Sequence, residues 1–228
     1  MILLRHGQSW FNHHFTLTKR DPGITDPALT PLGEQQAAAA AGALADAGIR
    51  RILASPYTRA LQTATPVARR LGLPIHVHPV VRERYAFTCD VGTPRSTLAG
   101  AWPAHDFSGI EEVWWPQEEE GAEGVITRAA GFRHEMAALP DWQHTLVVSH
   151  WGFILSMTGL SVNNGQWLRC DPTEPPPAEV VWRRKGCARR RTSPATPNLA
   201  SSNAMLAGSG TSWIDRNSAF AVRVMISR

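Results

Sequence analysis

The sequence predicts an α/β fold, a three-layer sandwich whose mostly parallel central sheet is flanked by helices. Short apolar runs alternate with helical stretches as far as residue 150, the order expected of strands joined by crossover helices. Three of those runs, Ile2-Leu3-Leu4, Ile52-Leu53-Ala54 and Leu146-Val147-Val148, are apolar at every position. A strand covered on both faces needs that pattern, whereas a half-exposed strand alternates. The 228 residues are 43% hydrophobic and 18% charged, which excludes a wholly disordered chain and fits one large domain with an appendage.

The first strand is Ile2-Leu3-Leu4, followed directly by Arg5-His6-Gly7. A helix then opens at Thr30-Pro31. Thr30 is a good N-cap, Pro31 suits the first helical position, and Gly48 is the expected stop. Leu32, Ala37, Ala40, Ala41, Leu44 and Ala47 recur between them at helical spacing. The run at Ile52 ends in Ser55-Pro56, and a helix continues from there towards Leu71 with Gly72 as terminator and Pro66 inside it. An extended stretch is expected from Ile75 to Val80, and a further helix from Val125 to Leu139, stopped by Pro140. Thr145-Leu146-Val147-Val148 is the clearest buried strand, with Ser149-His150-Trp151-Gly152 behind it.

After Asp171 the pattern changes, because Pro172, Pro175, Pro176 and Pro177 break any regular element. Residues 1–182 hold 14 Lys/Arg against 18 Asp/Glu, whereas 183–228 hold 9 against 1. The basic character of the chain therefore belongs to its end, where Arg183-Arg184-Lys185 and Arg189-Arg190-Arg191 form blocks of like charge. The expected division is one folded domain over 1–182 and a basic, mostly unstructured tail over 183–228, with a weak strand pattern at Ala219 to Ile226. The tail alone is a poor argument for nucleic-acid binding. No apolar run approaches the ~20 residues of a membrane span, and the N-terminus does not read as a secretory signal. Cys89, Cys170 and Cys187 are scattered without C-x-x-C spacing. The expectation is a reducing cytoplasm, with neither a disulfide framework nor a metal site.

Chemistry concentrates where the apolar runs end. The first delivers Arg5 and His6, the second Ser55 and, one helical turn on, Arg59, the third Ser149 and His150. In an open α/β sheet, ligands bind beyond the carboxyl ends of the strands. If these runs are parallel neighbours, two imidazoles and two guanidiniums meet in one pocket. Two planar forks of donors suit a dianion such as a phosphoryl group, and a helix N-terminus beside them adds a favourable dipole.

Leu4-Arg5-His6-Gly7-Gln8-Ser9 with Asn12, Leu29-Thr30-Pro31-Leu32-Gly33-Glu34-Gln35-Gln36-Ala37, Ser55-Pro56-Tyr57-Thr58-Arg59-Ala60-Leu61-Gln62-Thr63-Ala64 and Ser149-His150-Trp151-Gly152 together resemble the motifs of the histidine phosphatase superfamily, the phosphoglycerate mutase-like group. The resemblance covers residues 3 to about 171. It implies a phosphoglycerate mutase-like fold and a phosphohistidine formed on His6. Arg5, Arg59 and a protonated His150 would balance the phosphoryl charge, with Asn12 as a neutral donor. Glu83, in Val81-Arg82-Glu83-Arg84, matches the family's general acid, and Asp90 is the reserve. Neither metal nor cofactor is implied, since cationic side chains carry the charge. Tyr85-Ala86-Phe87 departs from the mutase pattern after the acid. Hydrolysis of a small-molecule phosphomonoester is therefore favoured, with mutase-type transfer or a non-catalytic phospho-ligand-binding role as alternatives.

Several features have plainer readings. Glu83 between two arginines could be a surface ion-pair partner, Arg59 a helix-surface residue, and Asn12 a turn residue. Arg84 and Arg95 could grip a second anion or lie solvated. His13-His14 and His76-x-His78 lack the companions a metal site needs. Glu111-Glu112 and Glu118-Glu119-Glu120 read as solvated surface, and Trp114-Trp115 as either core or pocket lid. The substrate and the oligomeric state are not encoded in any of these motifs.

Overall fold

The computed structural model describes residues 1–182; the expected basic tail, its possible strand and Cys187 lie outside the described residues. Five strands form one sheet in the order β3-β2-β4-β1-β5. These are β1 (Ile2–Arg5), β2 (Arg51–Ala54), β3 (Ile75–Val77), β4 (Thr145–Ser149) and β5 (Trp167–Arg169). The first four run parallel, and β5 closes the β1 edge antiparallel. Helices α1 (Trp10–Thr18), α2 (Pro31–Ala43), α3 (Thr58–Leu71), α4 (Arg95–Ala101), α5 (Ala122–Ala137) and α6 (Trp151–Thr158) complete the fold.

The strands alternate between two cores. Ile2, Leu4, Ile52, Ala54, Leu146 and Val148 face a cluster that includes Ala40 and Leu44 from the α2 segment and Ala60, Leu61, Ala64 and Val67 of α3. Leu3, Leu53 and Val147 face Val125, Ala129, Phe132 and Met136 of α5 and Phe153, Ile154 and Met157 of α6. This two-sided burial is why the strands are apolar throughout, and it makes the expected three layers.

Thr30 caps α2 as its sequence suggests, accepting from the Gly33 N–H at 3.1 Å, with Pro31 in the first turn. The helix nevertheless ends at Ala43, not near Gly48. Its last turn tightens into Ala45 N–H to Gly42 and Ala47 N–H to Leu44 bonds, and Gly48 (φ 71°) makes the separate turn into β2. Gly72 does terminate α3, in the left-handed region at φ 66°. The extended stretch at Ile75 is cut short after Val77. Pro79 follows, with a fixed φ and no N–H, and opens a 3-10 turn over Pro79–Val81. Among the described residues no helix is long and apolar enough to cross a membrane.

Candidate active site

Strand register brings the polar strand ends together. Arg5 pairs with Ser149 and Ala54 with Val148. The His6 N–H bonds the Ser149 carbonyl at 3.0 Å and the Ser55 N–H the Val148 carbonyl at 3.1 Å. The His6 and His150 rings stand 5.0 Å apart between centroids. His6, Arg59 and His150 are 3%, 2% and 0% exposed, a depth at which charged groups are rarely kept without a partner or a task.

Each group is held from behind. His6 Nδ1 lies 2.7 Å from the Gly7 carbonyl, which can only accept, so Nδ1 carries the proton and Nε2 keeps its lone pair in the neutral ring. The Gly7 N–H donates to Thr63 Oγ1 at 3.0 Å, and Thr63 in turn donates to the Arg59 carbonyl at 2.7 Å. Asn164 Nδ2 donates to the His6 carbonyl at 3.1 Å and to Asn12 Oδ1 at 3.0 Å. Gly7 and Gly33 cross so closely that a Cβ on Gly7 would sit 2.4 Å from the Gly33 carbonyl oxygen. Arg5 donates to the Val162 carbonyl at 2.8 Å. Arg59 donates to the Cys89 carbonyl at 2.8 Å and to Asp90 Oδ1 at 3.2 Å, and lies 4.2 Å over the Tyr57 ring. His150 Nε2 is 2.8 Å from Ser55 Oγ, while its buried Nδ1 has no hydrogen-bond partner among the described residues.

Glu83 reaches the same corner through the start of α6. Its Oε1 accepts from the Gly152 N–H at 2.8 Å and the Arg84 N–H at 2.9 Å. Gly152 lies in the first turn of α6, whose N-cap is His150. The carboxyl group thus sits at the start of a helix that begins beside the second imidazole.

The electrostatics follow from burial and from the two guanidiniums. Burial, then Arg59 and Arg5, hold His6 well below its ordinary value. Burial, then Arg59, His6 and Arg5, do the same to His150. Within the protein alone, where no phosphoryl charge offsets the guanidiniums, these shifts favour the neutral ring of His150. Burial raises Asp90 to about 6 against the opposing pull of Arg59.

Other expectations change too. Asp90 is not a spare acid at the pocket. One oxygen pairs with Arg59, and the other accepts the Ala86 and Phe87 N–H groups at 3.1 Å each. Asn12 Oδ1 is taken up by the α1 cap, through the Ser9 N–H at 3.2 Å, and by Asn164. Arg84 and Arg95 pair with Glu119 at 3.1 Å and Glu112 at 3.4 Å, so neither is held ready for a second anion. Glu120 is not solvated surface: it bridges Arg82 and Arg128 at 2.9 and 2.7 Å. Trp114 is core, its indole N–H bonded to the Thr93 carbonyl at 2.9 Å and its ring edge-on to Tyr57. His78 pairs with Glu135 at 3.1 Å. Among the described residues no group of three or more His, Cys, Asp or Glu could hold a metal ion. Ser55, Thr63 and Asn164 also hold the site, though the sequence alone assigns none of them a role. The Asn163-Asn164-Gly165 turn signal was the one cue to the last of them.

Comparison with known proteins agrees with this geometry. The family model of the histidine phosphatase superfamily (branch 1) matches residues 1–180. A glucosyl-3-phosphoglycerate phosphatase of Mycolicibacterium vanbaalenii is 30% identical over 175 residues, 72% of this chain and 76% of the relative. A probable phosphoglycerate mutase of Erwinia tasmaniensis is 30% identical over 74% of this chain and 79% of its own length. The solved native structure of a mycobacterial glucosyl-3-phosphoglycerate phosphatase superposes with a TM-score of 0.52 at 25% identity, covering 73% of this chain and 87% of that one. The chain belongs to the histidine phosphatase superfamily, branch 1.

Proposed function

We propose that the protein hydrolyses a small-molecule phosphomonoester through a phosphohistidine on His6. The observation that carries this reading is the imidazole of His6, its Nδ1 fixed on the Gly7 carbonyl at 2.7 Å and its ring 5.0 Å from His150, lowered in basicity by burial and then by Arg59 and Arg5. Such a ring presents an unprotonated Nε2 at neutral pH beside positive charge already in place.

In the first step His6 Nε2 attacks phosphorus and the ester P–O bond breaks. Glu83 gives its proton to the leaving oxygen. In the second step water attacks the phosphohistidine, Glu83 takes the water's proton, and the P–N bond breaks to release phosphate and free His6. Arg5 and Arg59 balance the charge on the phosphoryl oxygens. His150, neutral in the protein alone, gains a proton or donates from Nδ1 when a dianion offsets the guanidiniums. Asn12 adds a neutral donor through Nδ2. The side chains supply the charge that a metal provides in other phosphoryl-transfer sites.

Relatives named as phosphatases support hydrolysis. We assign the activity to residues 1–182 and treat 183–228 as a basic tail. Cys89 and Cys170 are free and buried, in keeping with a reducing cytoplasm. His6→Ala is expected to abolish release of phosphate from an aryl phosphate with the fold retained by circular dichroism. Full activity in that variant would end the covalent reading. A panel of phosphomonoesters, with 3-phosphoglycerate plus its 2,3-bisphosphate included, separates hydrolysis from mutase transfer by whether free phosphate or the isomer accumulates.

A further inference from the structure

The stretch that carries Glu83 belongs to no strand or helix. It runs between the 3-10 turns at Pro79–Val81 and Thr88–Asp90, so no ladder of backbone bonds fixes it. Side chains hold it instead: Ser149 Oγ donates to the Val81 carbonyl at 2.7 Å and Arg82 Nη1 to the Glu83 carbonyl at 3.3 Å, and one guanidinium gathers three of its carbonyls. Arg128, on α5, donates from Nη1 to the Val80 carbonyl at 2.6 Å and the Arg82 carbonyl at 2.9 Å, and from Nη2 to the Glu83 carbonyl at 3.4 Å. Its Nε and Nη2 also reach Glu120 at 3.1 and 2.7 Å, and Glu120 takes Arg82 at 2.9 Å. The Arg128 and Glu120 side chains are only 12% and 11% exposed. The same guanidinium lies 5.3 Å over the ring of Phe153, next in sequence to Gly152, whose N–H holds the Glu83 carboxylate. Arg128 therefore touches both partners of the bond that aims the acid, the backbone of residues 80–83 and the first turn of α6.

We propose that Arg128, with Glu120 as its counter-ion, is a positioning residue for proton transfer by Glu83. A guanidinium is a rigid plane with five donors, so three carbonyls and a carboxylate bound to it have little freedom to move relative to one another. A lysine keeps the charge but not the fork. Loss of the fork lets the 80–83 segment shift, and a displacement of about 1 Å at a proton donor costs up to ~10²-fold in rate. The loss falls on the step that needs a proton. The inference rests on the reading of Glu83 as the general acid.

The test compares kcat/KM for phenyl phosphate, whose leaving group needs protonation, with that for p-nitrophenyl phosphate, whose leaving group barely does, in the full chain. Arg128→Met is expected to lose about tenfold more on phenyl than on p-nitrophenyl phosphate, in the pattern of Glu83→Gln. The double variant should be no worse on phenyl phosphate than Glu83→Gln alone, because a positioning residue has nothing to add once the acid is gone. An equal loss on both substrates, or additive losses in the double variant, overturns the role of Arg128 while Glu83 stands. If Glu83→Gln itself loses equally on both substrates, the acid assignment falls and this inference falls with it. Should Arg128→Met fail to fold, Arg128→Lys carries the same comparison: a selective loss supports the role, and an unselective one or none overturns it.

Discussion

Ser55 decides which face of the second imidazole is open. Its hydroxyl sits 2.8 Å from His150 Nε2 and is fully buried, so Nδ1 is the nitrogen left to meet a phosphoryl oxygen. Removing the hydroxyl leaves Nε2 buried without a partner, which costs about 1–3 kcal/mol, and frees the ring to take either tautomer. Ser55→Ala is thus expected to lower kcat roughly tenfold, in line with losing the orientation of one electrostatic donor. The two measurements are steady-state turnover of an aryl phosphate and a urea melt. Unchanged turnover would mean that the hydroxyl does not set the ring. The sequence marks Ser55, because it ends an apolar run, but not its partner. The bond spans 95 positions, and only the β2–β4 register closes that gap.

At the level of elements, what the sequence displays depends on how local the cause is. Strand cores are legible because two-sided burial leaves an apolar residue at every position. The Thr30 cap and the Gly72 stop are legible because both act within a turn. Glu120 is misread, and Trp114 is left open between core and lid, because their partners come from elsewhere in the chain: an acid in a run of acids is buried only when Arg82 and Arg128 arrive beside it. The start of α6 carries a signal that glycine alone can satisfy. A Cβ on Gly152 would lie 2.5 Å from Glu83 Oε1, which is the end of a movable side chain. Alanine is the better helix former, so Gly152→Ala should fold normally and move the carboxylate. The expected result is a loss in kcat/KM of about tenfold on phenyl phosphate, a smaller one on p-nitrophenyl phosphate, and an unchanged melting temperature. Gly33 is the contrasting case. Its added Cβ would meet the Gln8 carbonyl oxygen at 2.1 Å, a backbone atom that cannot swing aside. Gly33→Ala should therefore cost about 1–3 kcal/mol of stability, read from the shift in the urea midpoint.

For the whole molecule, the active site is a place where two well-packed cores meet a cluster of buried ionisable groups, and its cost appears as a pH dependence of folding. His6 and His150 are both held well below their ordinary value of 6.5. Below that pH the unfolded chain takes up two protons that the native protein refuses, so stability falls as the pH drops from 6.5 towards the native values. The limiting slope is about 1.4 kcal/mol per pH unit for each ring. Asp90 acts in the other direction. It is raised from 3.8 to about 6, so between those values the native state holds a proton that the unfolded chain lacks, and acid stabilises it. Two imidazoles against one carboxyl leave a net loss on the acid side. The melting temperature should fall steadily between pH 6.5 and 5.0. Removing one imidazole by His150→Asn should make that fall shallower, and removing the opposing carboxyl by Asp90→Asn should make it steeper, whatever either change does to stability at pH 7.5. Calorimetric or fluorescence melts of the three proteins across that range give the slopes directly. An identical slope in His150→Asn would show that the native ring takes up its proton as it does in the unfolded chain, and that burial and the guanidiniums do not lower it.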